Sequence, residues 1–80
     1  MTKMPGPRIR KLRDEYAAAL KTYMGHVRRV IVTLHYKEIP TSRMLAAESQ
    51  ALADLIAARQ ALMVALQELR KARLERKDPD

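Results

Sequence analysis

HVRRVIVTLHY, residues 26–36, is the stretch that decides the fold, because it can be interpreted either as a strand or as part of a helix. Its β-branched residues favour a strand and are only mediocre helix formers. Its apolar residues nevertheless continue a spacing of three and four that begins at Ile9 and Leu12. No other segment offers a second strand, and a strand without a partner is not stable. We therefore predict a helix through this stretch.

The helix predicted around this stretch begins at Pro7. Proline suits the first helical position, where its missing N–H costs nothing, and Gly6 can act as the N-cap. We expect helix one over residues 7–36, preceded by a flexible arm, residues 1–6. Steps of three and four over seven turns are typical of one amphipathic helix. The apolar stripe is Ile9, Leu12, Tyr16, Ala19 or Leu20, Tyr23, Val27, Val30 or Ile31, and Leu34.

Pro40 separates the first helix from a second one. Proline cannot continue a helix, whereas Thr41 or Ser42 supplies an N-cap for the next. Residues 43–77 contain no Gly or Pro and are rich in strong helix formers, so we predict helix two over residues 42–77, with a tail at 78–80. Two long helices with a short connection pack antiparallel. The fold predicted for residues 7–77 is an all-α antiparallel two-helix hairpin.

Helix two has a broad apolar arc that we expect to pack on helix one. The arc consists of Leu45, Leu52, Leu55, Ile56, Leu62, Met63, Leu66 and Leu69. The opposite side carries small residues, which would let another helix approach closely: Ala53, Ala57, Ala61 and Val64. Two helices alone enclose a thin core, so we expect two hairpins to pair into a four-helix-bundle homodimer, either through this small-residue side or through the exposed edges of the contact between the two helices.

Arg59 lies near the middle of the apolar arc, in line with Glu48 three turns earlier. A buried arginine is rare unless it is paired. One interpretation is that its guanidinium reaches solvent from the contact between the helices. The alternative is an inter-subunit ion pair with Glu48, Asp14 or Glu15 that fixes the register of the dimer.

Composition argues against an enzyme. The chain has no Cys, which excludes thiolate metal sites and a cysteine nucleophile, and it has no glycine-rich phosphate loop. His26 and His35 are nine residues apart and fall on opposite sides of a helix, so they cannot share a metal ion. We expect no catalytic residue, metal, cofactor or small-molecule substrate. With no apolar run long enough to span a membrane, we expect a cytoplasmic protein.

The basic charge predicts an anionic partner. The chain holds 16 Lys and Arg against 9 Asp and Glu, a net charge of +7. Closing the hairpin would bring basic residues of both helices to its open end. The predicted function is a helical-hairpin adaptor or regulator that binds a protein with an acidic face; the alternative is a nucleic-acid-binding dimer, while membrane binding is disfavoured because the apolar faces are needed for packing. The candidate surface is Arg8, Arg10, Lys11, Arg13, Lys21, Arg28, Arg70, Lys71, Arg73, Arg76 and Lys77.

Overall fold

The computed structural model describes the backbone of residues 6–77 and the side chains of residues 6–74. Helix α1 (Pro7–His35) and helix α2 (Ser42–Lys77) lie side by side along their length, which confirms the predicted all-α hairpin. Helix α1 ends one residue before the expected limit. Apart from Gly6, the predicted arm and tail lie outside the described residues. Neither helix is long and apolar enough to cross a membrane.

Each helix begins next to a residue that favours helix initiation. Gly6 is extended, with φ −68° and ψ 170°, and Pro7 occupies the first turn of α1. At the start of α2, the Thr41 hydroxyl accepts a hydrogen bond of 3.1 Å from the Met44 backbone N–H. Of the two predicted caps, Thr41 is therefore the one that satisfies an unpaired donor of the first turn.

The β-branched stretch is helical as far as His35, as predicted, and residues 6–77 contain no strand. Thr33 fits because its hydroxyl donates a hydrogen bond of 2.8 Å to the carbonyl of Arg29, one turn earlier. The apolar spacing thus outweighs the intrinsic preference of these residues for strands.

The end of α1 is closed by a Schellman motif, which the sequence analysis did not predict. The N–H of Glu38 donates to the Thr33 carbonyl at 3.0 Å, and that of Lys37 to the Leu34 carbonyl at 2.9 Å. Lys37 has a φ of 62°, the left-handed conformation that glycine usually occupies in this motif. The chain then reaches Thr41 through Pro40, which gives a short, well-bonded turn.

The contact between the helices, called the seam below, follows a regular heptad spacing. On each helix the less exposed residues alternate steps of three and four, the a and d positions of a heptad. Beyond these positions, only Val27 and Ala47 of the described helical residues are half-buried, and the others are exposed. The seam consists of Ile9, Leu12, Tyr16, Ala19, Tyr23, His26, Val30 and Thr33 on α1, and Met44, Glu48, Ala51, Leu55, Ala58, Leu62, Ala65 and Leu69 on α2.

The predicted packing arc of α2 is wrong for five of its eight residues. Leu55, Leu62 and Leu69 face α1, as expected. The other five are exposed, because alanines recur every seven residues between the three leucines and let the helices approach closely. Among described residues the buried core is Ala51 at 5%, Leu62 at 8% and Ala65 at 2% exposed. The residues that point outwards are Leu45, Leu52, Ile56, Met63 and Leu66.

The antiparallel arrangement gives the hairpin two different sides. On each helix, heptad positions e and g flank the seam. Because the helices are antiparallel, the e residues of α1 and α2 lie on one side of the hairpin, and the g residues of both helices lie on the other. An ion pair of 3.2 Å between Arg8 and Glu68, both g residues, marks that second side and sets the helix register. The two helices can thus build a composite surface on each side.

Candidate binding surfaces

One side of the hairpin is a mainly apolar surface, which we call the outer apolar face. Heptad positions e and b of both helices supply it, so the residues of α1 and α2 lie on the same side of the seam; on α2, Ser49 and Arg59 interrupt it. Along α1 the face up to Ile31 lines a shallow groove that also includes Val27 and is flanked by Lys21 and Arg28. The face consists of Ala17, Leu20, Met24, Ile31 and Leu34 on α1, and Leu45, Leu52, Ile56, Met63 and Leu66 on α2.

The large side chains of this face are well exposed. Met24 and Ile31 are each 58% exposed on α1, and Ile56 is 54% exposed on α2. Nine of the fourteen large hydrophobic residues exposed in the described part of the chain belong to this face. Extended apolar patches on small proteins are typical of sites that bind another protein, a membrane or a ligand.

Towards the open end, the same heptad positions carry arginine in place of apolar residues. Arg10 and Arg13 occupy positions b and e of α1, while Arg70 and Arg73 occupy the same positions of α2. All four are exposed, and we call them the open-end arginines. Between residues 6 and 74, no e or b position carries a carboxylate. The face is therefore apolar towards the turn and positive at the open end.

Two of the predicted basic residues already have carboxylate partners. Arg8 pairs with Glu68 across the helices, and Arg13 pairs with its neighbour Asp14 at 3.1 Å. In both pairs every side chain is more than 60% exposed, so each contributes little to stability. Arg8 points to the g side and is neutralised there, which separates it from the open-end arginines.

The remaining predicted basic residues do not form a single patch. Lys11 and Lys71 lie at the open end, but at heptad position c, away from the outer apolar face. Lys21 and Arg28 lie on the outward side of α1, nearer its middle. Of the predicted surface, the side chains of Arg76 and Lys77 lie outside the described residues.

The small-residue set predicted as a dimer surface lies elsewhere. Ala57, Ala61 and Val64 occupy positions c and g of α2, on the side of the Arg8–Glu68 pair. Ala53 lies between the two sides, at position f. All four are exposed, but the polar pair of Gln50 and Asp54, bonded at 2.9 Å, lies among them. This side is therefore more polar than the outer apolar face.

Glu48 and Arg59 are both on the side of the outer apolar face. Glu48 is half-buried at an a position of the seam, next to the e positions, and Arg59 is an exposed e residue. They are eleven residues apart, or roughly 16 Å along the helix, so they cannot pair within one chain. Among the described side chains neither forms an ion pair.

The outer apolar face was not predicted, because the large apolar residues of α2 were expected to lie in the seam. The available signal was the seven-residue spacing of Ala51, Ala58 and Ala65. His26, considered from the sequence only as a metal ligand, is half-buried within the seam. Comparisons of the chain with family models, curated proteins and solved structures gave no match.

Proposed function

We propose that this chain is a non-enzymatic adaptor or regulator: a helical hairpin that pairs into a four-helix-bundle homodimer and binds the acidic face of a protein partner through its open-end arginines. The observation that carries the proposal is the position of Arg10, Arg13, Arg70 and Arg73, which come from two helices and share one side of one end. Arginine is well suited to this role because its planar guanidinium can hold a carboxylate through two hydrogen bonds.

The position of the tyrosines argues against a single-stranded nucleic acid as the partner. Binding to single strands relies on aromatic side chains beside a basic groove, on which bases stack. Tyr16 and Tyr23 lie in the seam, while Tyr36, 70% exposed, lies at the turn, far from the open-end arginines. Within residues 6–74 the basic end therefore has no aromatic platform for bases, whereas carboxylates need only the guanidinium groups.

Binding assays with two probes test this proposal. The first probe is a fluorescent amphipathic helical peptide with glutamates on one half and leucines on the other; the second is a random 20-base-pair DNA duplex. We expect the peptide to bind more tightly at physiological salt. Converting the four open-end arginines to Glu should weaken peptide binding at least about tenfold, because the attraction between the arginines and the peptide glutamates becomes repulsion both during approach and in the complex.

The matched control reverses charge at the other end of the hairpin. Lys37→Glu with Arg43→Glu changes exposed residues at the turn and should leave peptide binding within about twofold of wild type. Equal losses in both variants would reject the open end as the binding surface. Tighter binding to the duplex, with a steep linear loss of log affinity against log salt, would replace the protein partner with a nucleic acid.

A further inference from the structure

The outer apolar face carries nine of the fourteen large apolar side chains that are exposed in the described part of the molecule, and its symmetry identifies what covers it. We infer that a second copy of the hairpin packs on this face in antiparallel orientation, with each turn directed towards the other copy's open end. Helix α1 then lies on α1 and α2 on α2. This inference rests on the proposed homodimer and specifies its interface.

The first support is a pair of opposite charges placed symmetrically on α2. The point midway between Glu48 and Arg59 falls between Ala53 and Asp54. If a two-fold axis crosses the face at that level, Arg59 of one copy lies level with Glu48 of the second copy, and the converse also holds. Glu48 and Arg59 of each copy thereby gain a partner of opposite charge. Asp14 and Glu15 offer no such arrangement, because they lie at positions f and g, off this side.

The second support is that the apolar residues of α1 are centred close to the same level. They extend from Ala17 to Leu34, so their midpoint falls between Gly25 and His26. In the register indicated by the Arg8–Glu68 pair, that midpoint lies level with Gln50 and Ala51 of α2, about three residues or roughly 4.5 Å from the midpoint of Glu48 and Arg59. The two centres thus lie within one helical turn of each other, so one two-fold axis can pass close to both, as an isologous contact requires.

Charge decides between the two ways of stacking the faces. With turn on turn, the open-end arginines of both copies would meet, and eight guanidinium groups would repel one another. In the antiparallel arrangement, Arg70 and Arg73 extend past the start of the other copy's α2 and remain in solvent. The apolar parts overlap in both arrangements, so electrostatics selects the antiparallel one.

The inferred dimer gives the proposed adaptor two binding ends. Arg70 and Arg73 of the two copies project from opposite poles, roughly 50 Å apart at about 1.5 Å per residue. Each end remains free to bind an acidic surface. A dimer of this shape would bridge two partner molecules, or two acidic segments of one partner.

Sedimentation of adjacent single-residue variants tests which side is covered. Ile56 lies on the outer apolar face, and its neighbour Ala57 lies on the opposite side. Ile56→Glu should weaken dimerisation at least about a hundredfold, because it puts two carboxylates into the interface, while Ala57→Glu should leave it unchanged. The reverse result would move the interface to the small-residue side and overturn the inference.

A charge swap tests the pairing of Glu48 with Arg59. Glu48→Arg and Arg59→Glu should each weaken the dimer about tenfold, since each creates two like-charge contacts, and the double variant should restore wild-type affinity within about threefold. Circular dichroism checks that each variant remains helical. Glu15→Arg and Lys71→Glu serve as controls and should have no effect. If the double variant lost as much dimer affinity as the two single variants combined, the pairing would be refuted.

A distance measurement on the otherwise unaltered chain separates the two orientations. Because the sequence has no cysteine, a nitroxide attached at Ile39→Cys labels only the turn, where the native residue is 88% exposed. The antiparallel dimer predicts a separation of roughly 45 Å between labels, and turn-on-turn stacking predicts less than about 25 Å. The short distance would overturn the orientation while leaving the proposed dimer standing.

A wild-type chain that remains a folded monomer up to about 500 µM would overturn the dimer and the inference together. The same samples are then mixed with phosphatidylglycerol vesicles. Binding to these vesicles that is lost in Ile56→Glu would identify a lipid surface as the occupant of the outer apolar face.

Discussion

The seam and the outer apolar face of α2 use opposite kinds of residue. Inside the seam, Ala51 and Ala65 are almost completely buried, and alanine recurs at every second contact position. On the outer face, Leu52, Ile56 and Met63 are between 38% and 54% exposed. Large apolar side chains thus lie on both stripes, but only the seam alternates them with alanine. The difference shows that spacing and the closeness of the backbones, more than side-chain size, determine which stripe of α2 faces α1.

Because of this contrast, much of the apolar surface of the hairpin lies outside its own core. A seam built on alanines gains close backbone contact but buries little area per residue, at about 25 cal/mol per Å² of apolar surface. The outer face holds the larger reserve of unburied apolar area. Stability of the isolated hairpin should therefore depend on a few seam residues, whereas association depends on the outer face.

The largest effect is expected at the one large side chain that the seam buries. Leu62→Ala should lower the free energy of unfolding by about 2 to 3 kcal/mol, because it removes a buried isobutyl group and leaves a cavity. Leu74→Ala, at a position that is 64% exposed, should change it by less than about 0.5 kcal/mol. Urea titrations at one fixed protein concentration measure both values. Equal losses would mean that Leu62 does not define the core.

A second variant tests whether small residues are required inside. Ala65 is 2% exposed, so Ala65→Leu has to push the helices apart and should cost about 2 kcal/mol. Ala53→Leu makes the same change at an exposed position and should be neutral within about 0.5 kcal/mol. If Ala65→Leu instead raised the melting temperature, the seam would have room for a leucine and the contrast between the two regions would fail.

The helices and the turn could be predicted from the sequence because local signals determine them. Pro7 and Pro40 restrict the backbone dihedral angles over a few residues, and Thr41 accepts a hydrogen bond from a backbone N–H of the first turn of α2. The facing of α2 could not be predicted in the same way. Apolar residues occupy a wider arc of α2 than a single neighbouring helix can contact. Which part of that arc faces α1 depends on how closely the two backbones approach, which is a tertiary property.

The same distinction applies to the candidate surfaces. The basic open end could be predicted, since a hairpin that turns near Pro40 must bring residues 8–13 and residues 70–73 to the same end of the molecule. Which of those residues share a side could not, because that depends on the heptad phase of both helices. The left-handed conformation of Lys37 was also missed, since lysine gives no signal for it.

The smallest effect is expected at the turn, which belongs to neither region. Lys37→Gly should raise the free energy of unfolding by about 0.5 to 1 kcal/mol, because glycine adopts a φ of 62° without the steric cost that a Cβ brings. Lys37→Ala keeps the Cβ and should give no comparable gain. Thermal melts of the two variants separate the backbone effect from loss of the lysine charge. A destabilised glycine variant would contradict the assigned turn geometry.

The Arg8–Glu68 pair joins residues that are 60 positions apart, whereas the contacts next to the turn join residues close in sequence. The hairpin can therefore close like a zipper from the turn, and each further layer encloses a longer loop. Its open end is the last part to close and the first to fray, and amide hydrogens there should exchange fastest. An acidic partner that binds Arg13 and Arg73 together would hold the fraying ends of α1 and α2 next to each other. Binding of the partner would then be coupled to closure of the open end.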